Sequence, residues 1–281
     1  MSLATDSLAS TAITPARHEF LDMSAPDAAA AWDDLLSLQV ELSFPHELSF
    51  FLESTEFASA DSVLDVGCGN GDYLARLARF FPRPQWTGID CAPEMIASAR
   101  RRWPEPRLTF LLSDFFAFRP DTHHDVILMR LIVQHLSDLA SVLAHASDCL
   151  APSGRLYLIE PDLENTFTTP RLPAFEGMIR EHEMATARHG RLRSRISDIP
   201  QIAEQSGAWV VVAERRIGVP WIGPFANGKI ARMYLRWIEL CERSATFRYP
   251  FARVRTEITE WSSLSASFAR FGIRILELSR S

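Results

Sequence analysis

One stretch limits what this chain can fold into more than any other: V-L-D-V-G-C-G-N-G-D at residues 63–72. Residues 62–66 form a short, apolar-rich strand pattern, and Gly67-Cys68-Gly69-Asn70-Gly71 breaks it at once. Tyr73, Leu74, Leu77, Ala78 and Phe81 then recur at helical spacing until Pro82 stops the run. A strand that turns on glycines into a helix brings backbone N–H groups and a helix N-terminus up to the anionic part of a ligand.

The same strand-and-helix alternation continues. Residues 86–89 give a second strand, and Pro93 stands in the first turn of a helix carrying Met95, Ile96 and Ala99. Residues 108–112 and 125–129 are a third and a fourth strand, and a helix over 136–150 ends at Ala-Pro-Ser-Gly, 151–154. A fifth strand spans 155–159. Further on come a helix over 199–206 closed by Gly207, a strand over 209–213, and a last strand over 268–278 with Gly272 as a bulge. Short turns between alternating elements predict an α/β fold: a mostly parallel seven-stranded sheet with helices on both faces.

Two segments fall outside that alternation. A helix from about 174 to 189 occupies the 162–198 segment. Another, capped by Asn227 and running to about 243, occupies the 217–264 segment, followed by an irregular Pro- and aromatic-bearing stretch. Helices inserted after the fifth and sixth strands lie where lids cover the carboxyl ends of a parallel sheet. The expected organisation is a flexible tail (1–15), a helical cap (16–58) and one domain (59–281) with lids at 162–198 and 217–264.

Composition removes several classes. In 281 residues, 47% are apolar and 23% charged, ordinary globular usage. No apolar run is long enough for a membrane span, and residues 1–15 carry neither the Lys or Arg nor the apolar core of a secretory signal. The net charge of −6 disfavours nucleic acid as a partner. Lys229 is the only lysine, which GC-rich coding bias explains. Cys68, Cys91, Cys149 and Cys241 are far apart and make no C-x-x-C pair, so no metal site or disulfide framework is expected, and a reducing cytoplasm fits.

A nicotinamide or flavin fingerprint needs G-x-G-x-x-G, whereas Gly67, Gly69 and Gly71 are spaced G-x-G-x-G with Asp72 following. Asp65 to Gly71 instead resembles the first motif, D-x-G-x-G-x-G, of class I S-adenosylmethionine-dependent methyltransferases. The resemblance covers about 60–215 and the last strand, and implies their Rossmann-like fold with S-adenosyl-L-methionine as cofactor. It implies that Asp65, Gly67, Cys68, Gly69 and Gly71 form the glycine turn. Asp90, at the end of the second strand with Cys91 and Met95 after it, would accept the ribose hydroxyls. Asp114 and Phe115 would meet the adenine, and Met129, Arg130 and Leu131 would lie along the methionine arm.

The acceptor side is less constrained. His135 follows the fourth strand, where an imidazole can take a proton from the nucleophile. Arg130 can hold a substrate carboxylate bidentately. Glu160 and Asp162, flanking Pro161, end the fifth strand. His182 shares a helical face with Phe175, Met178, Ile179 and Ala185. Arg180, Arg188, Arg191, Arg193 and Arg195 make the first lid basic, suiting an anionic acceptor. Trp221, Phe225, Tyr234, Trp237, Tyr249, Phe251 and Trp261 suit an aromatic or prenyl-like one. Ile230, Met233, Tyr234, Trp237 and Leu240 also have the spacing of a face packed against the sheet, or of a contact in a homodimer.

Met-Arg-Leu-Ile replaces the [DN]-P-P-[YF] that accompanies methylation of nucleobase or glutamine amines, and the paired glutamates of protein-arginine methyltransferases are missing at 130–138. Nor does the sequence assemble the oxygen-rich metal cluster of catechol-type enzymes. The expected function is therefore methyl transfer to C, N or O of a small molecule in secondary, natural-product metabolism, the core resembling quinone-biosynthesis enzymes. The alternatives are a cofactor-assisted cyclase or decarboxylase of the same fold, or a non-catalytic binding subunit.

Overall fold

The computed structural model describes residues 26–136, 138–188, 195–244 and 247–281. Five parallel strands make the centre: β1 (Ser62–Val66), β2 (Gln85–Asp90), β3 (Leu108–Leu112), β4 (His124–Arg130) and β5 (Leu150–Pro161), ordered β3-β2-β1-β4-β5. The order reverses between β1 and β4, which places a crevice at their carboxyl ends. Beyond β5 lies β8 (Phe268–Arg280), antiparallel to it from Arg155↔Ser279 to Pro161↔Ile273. A three-residue strand, β6 (Phe167–Thr169), continues along the same edge of β8, and β7 (Trp209–Ile222) pairs with the whole of its other edge. The sheet thus has eight strands rather than seven. The added strand is β6, inside the first insertion.

Alternation along each strand builds two cores, as a period of two requires. Val63, Val126, Leu128, Tyr157, Ile159 and Ile275 point to one face. There they meet α1 (Pro26–Glu53), α2 (Thr55–Ser59) and α3 (Asp72–Phe80). Leu64, Val66, Ile127, Met129, Leu156 and Leu278 point to the other, under α5 (Leu139–Cys149) and α7 (Ile199–Ser206). The edge of the sheet beyond β1 is flanked by α4 (Pro93–Arg102).

A third core is mostly helical, with Ala269 of β8 and Trp221 of β7 at its sheet side. Ala31, Leu35, Leu38 and Leu42 of α1 pack with Phe175 and Met178 of α6 (Pro173–Ala187), Ile230, Tyr234 and Ile238 of α8 (Pro224–Arg243), and Val254 and Ile258 of α9 (Phe251–Ser263). α1 is apolar nearly all round because its first half faces α8 and its second half the sheet. It runs unbroken through Pro45.

The apolar face of α8 packs against α1 and α9 and also against Trp221 and Phe271 at the ends of β7 and β8. Two sequence expectations change here. Asn227 is no cap: Gly223 precedes α8, and Asn227 is fully buried with its Nδ2 donating to the Ser267 carbonyl at 2.8 Å and hydroxyl at 2.6 Å. The stretch read as irregular after residue 243 contains α9. Among the described residues no helix is long and apolar enough to cross a membrane.

Candidate functional site

The loops at the carboxyl ends of β1 to β5 converge on the crevice. Gly67 and Cys68 both donate to the Ile89 carbonyl, at 2.8 and 3.0 Å, which ties the glycine turn to β2. Gly67, Gly69 and Gly71 have φ of 72°, 53° and 75°. These are left-handed values that a side chain resists. A Cβ on Gly71 would stand 2.7 Å from the Phe110 ring and one on Gly67 2.9 Å from Ile132, so the turn is also packed too closely for anything larger.

Asp90 crosses to this turn: Oδ2 accepts the Gly69 N–H at 2.9 Å and Oδ1 that of Ala92 at 2.8 Å. Asp114 is fixed at the end of β3 by accepting the Phe116 N–H through Oδ1, at 2.8 Å. After β4 the chain turns sharply, with Leu131 at φ 56°, a strained value for a branched residue. Its N–H reaches the Ile159 carbonyl at 2.8 Å, and Glu160, buried in β5, accepts the Val133 N–H at 2.7 Å. Glu160 therefore shapes the turn that carries His135, which is exposed.

Asp65 is the electrostatic centre. It is only 3% exposed, and burial pushes its carboxyl up to about 7; Arg130 opposes the rise and Asp90 adds to it. Arg130 is itself buried, with Nε and Nη2 donating to Glu47 at 3.0 and 3.1 Å and Nη2 donating to Ser43 at 2.9 Å. Its guanidinium lies 4.6 Å from the centre of the Tyr73 ring. Burial disfavours both charges, but each partner outweighs it, so the Glu47 carboxyl is held below its usual range and Arg130 above.

The same geometry places the remaining sequence-derived site residues. Arg130 is spent on α1 and is not turned to an acceptor. Asp162 is taken by Arg216, at 2.6 and 2.7 Å. His182 packs edge-on to Trp237 and Phe247, 5.3 Å from each ring centre, in the helical core. Met95 and Met129 are core side chains, the Phe115 ring packs 4.7 Å from His145, and Cys68 is buried beside Gly88. Cys91 lies at the surface beside the crevice, and partial desolvation of its thiol, reinforced by the charges of Asp90 and Asp114, raises its pKa to about 11. Arg191 and Arg193 lie outside the described residues.

Sequence reasoning missed what α1 contributes. Asn70, in the glycine turn, donates from Nδ2 to the Asp33 carbonyl at 3.1 Å and the Ser37 hydroxyl at 3.0 Å. Arg102 and Ser98 of α4 both donate to the Asp33 carboxylate. Leu36 lies so close to Gly69 that a Cβ there would meet it at 2.7 Å. One signal was available: Glu47 is a carboxylate inside an otherwise apolar run.

A glycine turn, two acids at its mouth and this strand order together match a known family. Residues 63–154 match the methyltransferase domain family. Over those residues this chain carries a methyltransferase domain. It is 32% identical over 133 residues to trans-aconitate 2-methyltransferase of Methylobacterium radiotolerans, covering 47% of this chain and 50% of that one. An uncharacterised 37.1 kDa protein in transposon TN4556 of Streptomyces fradiae is 30% identical over 197 residues, 63% of this chain and 56% of that one. The chain thus spans about half the length of the curated relatives it matches. The solved structures of BH2331 from Bacillus halodurans (TM-score 0.51, 16% identity, 84% of this chain and 98% of that one) and YcgJ from Bacillus subtilis (0.50, 20%, 84% and 99%) share the fold.

The methyltransferase domain fits its cofactor on chemical grounds. S-adenosylmethionine carries a sulfonium and an ammonium, and the buried Asp65 with the half-buried Asp90 beside it is an acidic pair that a cationic ligand would stabilise. The close-packed glycine turn lets a ligand approach the backbone.

Proposed function

We propose that the chain is an S-adenosylmethionine-dependent methyltransferase for a small-molecule acceptor, working by in-line transfer in natural-product metabolism. The observation that carries this reading is the left-handed Gly67–Gly69–Gly71 turn with Asp90 drawn onto it. The cofactor, when bound, supplies a methyl group already activated for transfer. The chain's own residues bind, orient and shield.

The Asp90 oxygens accept the Gly69 and Ala92 amides, and a carboxylate of this kind can also accept from a ribose hydroxyl. Asp65 offsets positive charge at the end of β1. α1, tied to Asn70 through Asp33 and Ser37 and to Arg130 through Ser43 and Glu47, roofs the crevice and limits water. The helical layer of α1, α6, α8 and α9 supports a small acceptor rather than a polymer, and its size suits a specialised one. His135, on the turn that Glu160 holds, is the assigned proton acceptor where the nucleophile arrives protonated.

Calorimetric titration with S-adenosylhomocysteine, followed by acceptor screening for the mass gain of one CH2, tests the reading. Saturable micromolar binding and a methylated product are expected. Folded protein that binds no S-adenosylhomocysteine refutes it.

A further inference from the structure

In the β7–β8 ladder two glycines stand opposite each other, Gly218 and Gly272. Neither has room for a side chain. A Cβ on Gly272 would meet the Asp162 carbonyl oxygen at 2.3 Å, and one on Gly218 would meet Nε, Nη2 and Cζ of Arg270 at 2.0, 2.2 and 2.4 Å. The pair therefore opens a trough across one face of the sheet. Backbone of the turn after β5 fills one half, and the Arg270 guanidinium lies in the other.

Arg270 is unmatched there. The residue is half-buried, its Nε–H is fully buried with no acceptor, and no carboxylate pairs with the guanidinium among the described residues. Arg216 and Arg274, opposite each other in the ladder, share this face because strand side chains alternate. Both are matched: Arg216 donates to Asp162 and Glu164, and Arg274 to Glu214 and Ser197. Half-buried arginines elsewhere, such as Arg102, Arg155 and Arg236, likewise meet a carboxylate. A guanidinium is always charged in a protein, and a charge partly withdrawn from water without a counter-charge is costly. A glycine trough that holds one in that state is accounted for when an anion completes it.

Arg270 stands three positions beyond Ile273, the partner of Pro161 at the end of β5. That is about 10 Å past the carboxyl ends of the parallel strands, the side of an open α/β sheet on which ligands collect. We infer that Arg270, seated on Gly218, is a binding site for a carboxylate, set on β7 and β8 rather than in the crevice between β1 and β4. The planar fork of a guanidinium receives the two oxygens of such a group in parallel. Charge selects the class of anion. One unpaired guanidinium offsets one negative charge, and the Asp162 and Glu164 carboxylates on neighbouring Arg216 repel a second. A dianionic phosphate is therefore disfavoured.

The test titrates acetate and inorganic phosphate into the full chain by calorimetry at constant ionic strength. Acetate should bind saturably and more tightly than phosphate. Arg270→Gln should weaken acetate by about tenfold or more, as expected for a lost charge-assisted pair, with S-adenosylhomocysteine affinity unchanged. Gly218→Ala keeps the charge but pushes the guanidinium out of the trough, and should weaken acetate as well. Thermal midpoints in acetate-free buffer separate a binding role from a structural one. Arg270→Gln should melt no lower than the unmodified chain, since it removes an uncompensated charge, and should gain less from added acetate. Acetate binding that survives Arg270→Gln, phosphate binding tighter than acetate, or a lowered midpoint for Arg270→Gln without acetate overturns the inference.

Discussion

Arg130, at the end of β4, and Glu47, in the last quarter of α1, form a two-pronged ion pair at 3.0 and 3.1 Å with side chains 8% and 0% exposed. The pair joins the cap helix to the crevice across 83 residues of sequence. Two charges withdrawn from water gain little over an apolar pair of the same shape, whereas one charge left alone is expensive. Glu47→Gln should therefore destabilise the fold by about 3 kcal/mol, within the range for breaking a buried pair. The double change Glu47→Met with Arg130→Met should cost clearly less than the two single changes added together. Urea midpoints of the four proteins check this, and simple additivity would show the pair to be uncoupled.

The glycine turn offers an internal comparison. Gly71 and Gly207 both have left-handed backbones, φ 75° and 63°, but a Cβ on Gly71 meets Phe110 and Ala99 whereas one on Gly207 meets nothing within 4 Å. Gly207→Ala should lose only the conformational term, about 1 kcal/mol. Gly71→Ala adds overpacking and should lose about 2–4 kcal/mol. Equal shifts in the two thermal midpoints would mean that packing around Gly71 is looser than its neighbours imply.

That contrast shows what could be read from residues alone. Glycine spacing and short apolar runs located β1 to β5 because the central strands β1 and β4 are buried on both faces and each strand ends at a turn the sequence must encode locally. The acids at strand ends were legible for the same reason. The clasp of α1 was not: Glu47 meets Arg130, and Asp33 and Ser37 meet Asn70, through tertiary packing that no periodicity records. Likewise His182 has the spacing of a pocket-facing residue, yet its helix buries that face against Trp237 and Phe247. Asn227 was taken for a cap because Asn commonly caps, while here Gly223 starts α8 and frees Asn227 to bind Ser267.

Asp65 predicts a pH dependence. Its carboxyl rises from an ordinary 3.8 to about 7 on folding, through burial first, with Arg130 opposing and Asp90 reinforcing. A raised carboxyl means that the folded state holds an extra proton between those values, so stability should fall as pH rises from about 4 to 7 and level off above. The slope contributed approaches 1.4 kcal/mol per pH unit at most. Glu47, held low, contributes in the opposite sense, so the informative quantity is the difference from Asp65→Asn. Asp65→Asn should gain on the unmodified protein as pH rises through this window. A pH-independent difference would place the titration elsewhere.

Asp90 carries the most direct prediction for the cofactor. Its two oxygens already order the Gly69 and Ala92 amides, and the same carboxylate is assigned to the ribose. Asp90→Ala should weaken S-adenosylhomocysteine by about 1–3 kcal/mol, roughly 5- to 150-fold, the worth of charge-assisted hydrogen bonds. The variant also loosens the turn, so part of that loss reflects the glycine amides rather than the ribose. 2′-Deoxy-S-adenosylhomocysteine separates the two contributions. If Asp90 holds the ribose, the unmodified protein prefers the parent ligand over the deoxy one and Asp90→Ala does not. If both proteins show the same preference, Asp90 serves the turn alone and the ribose is held by another group.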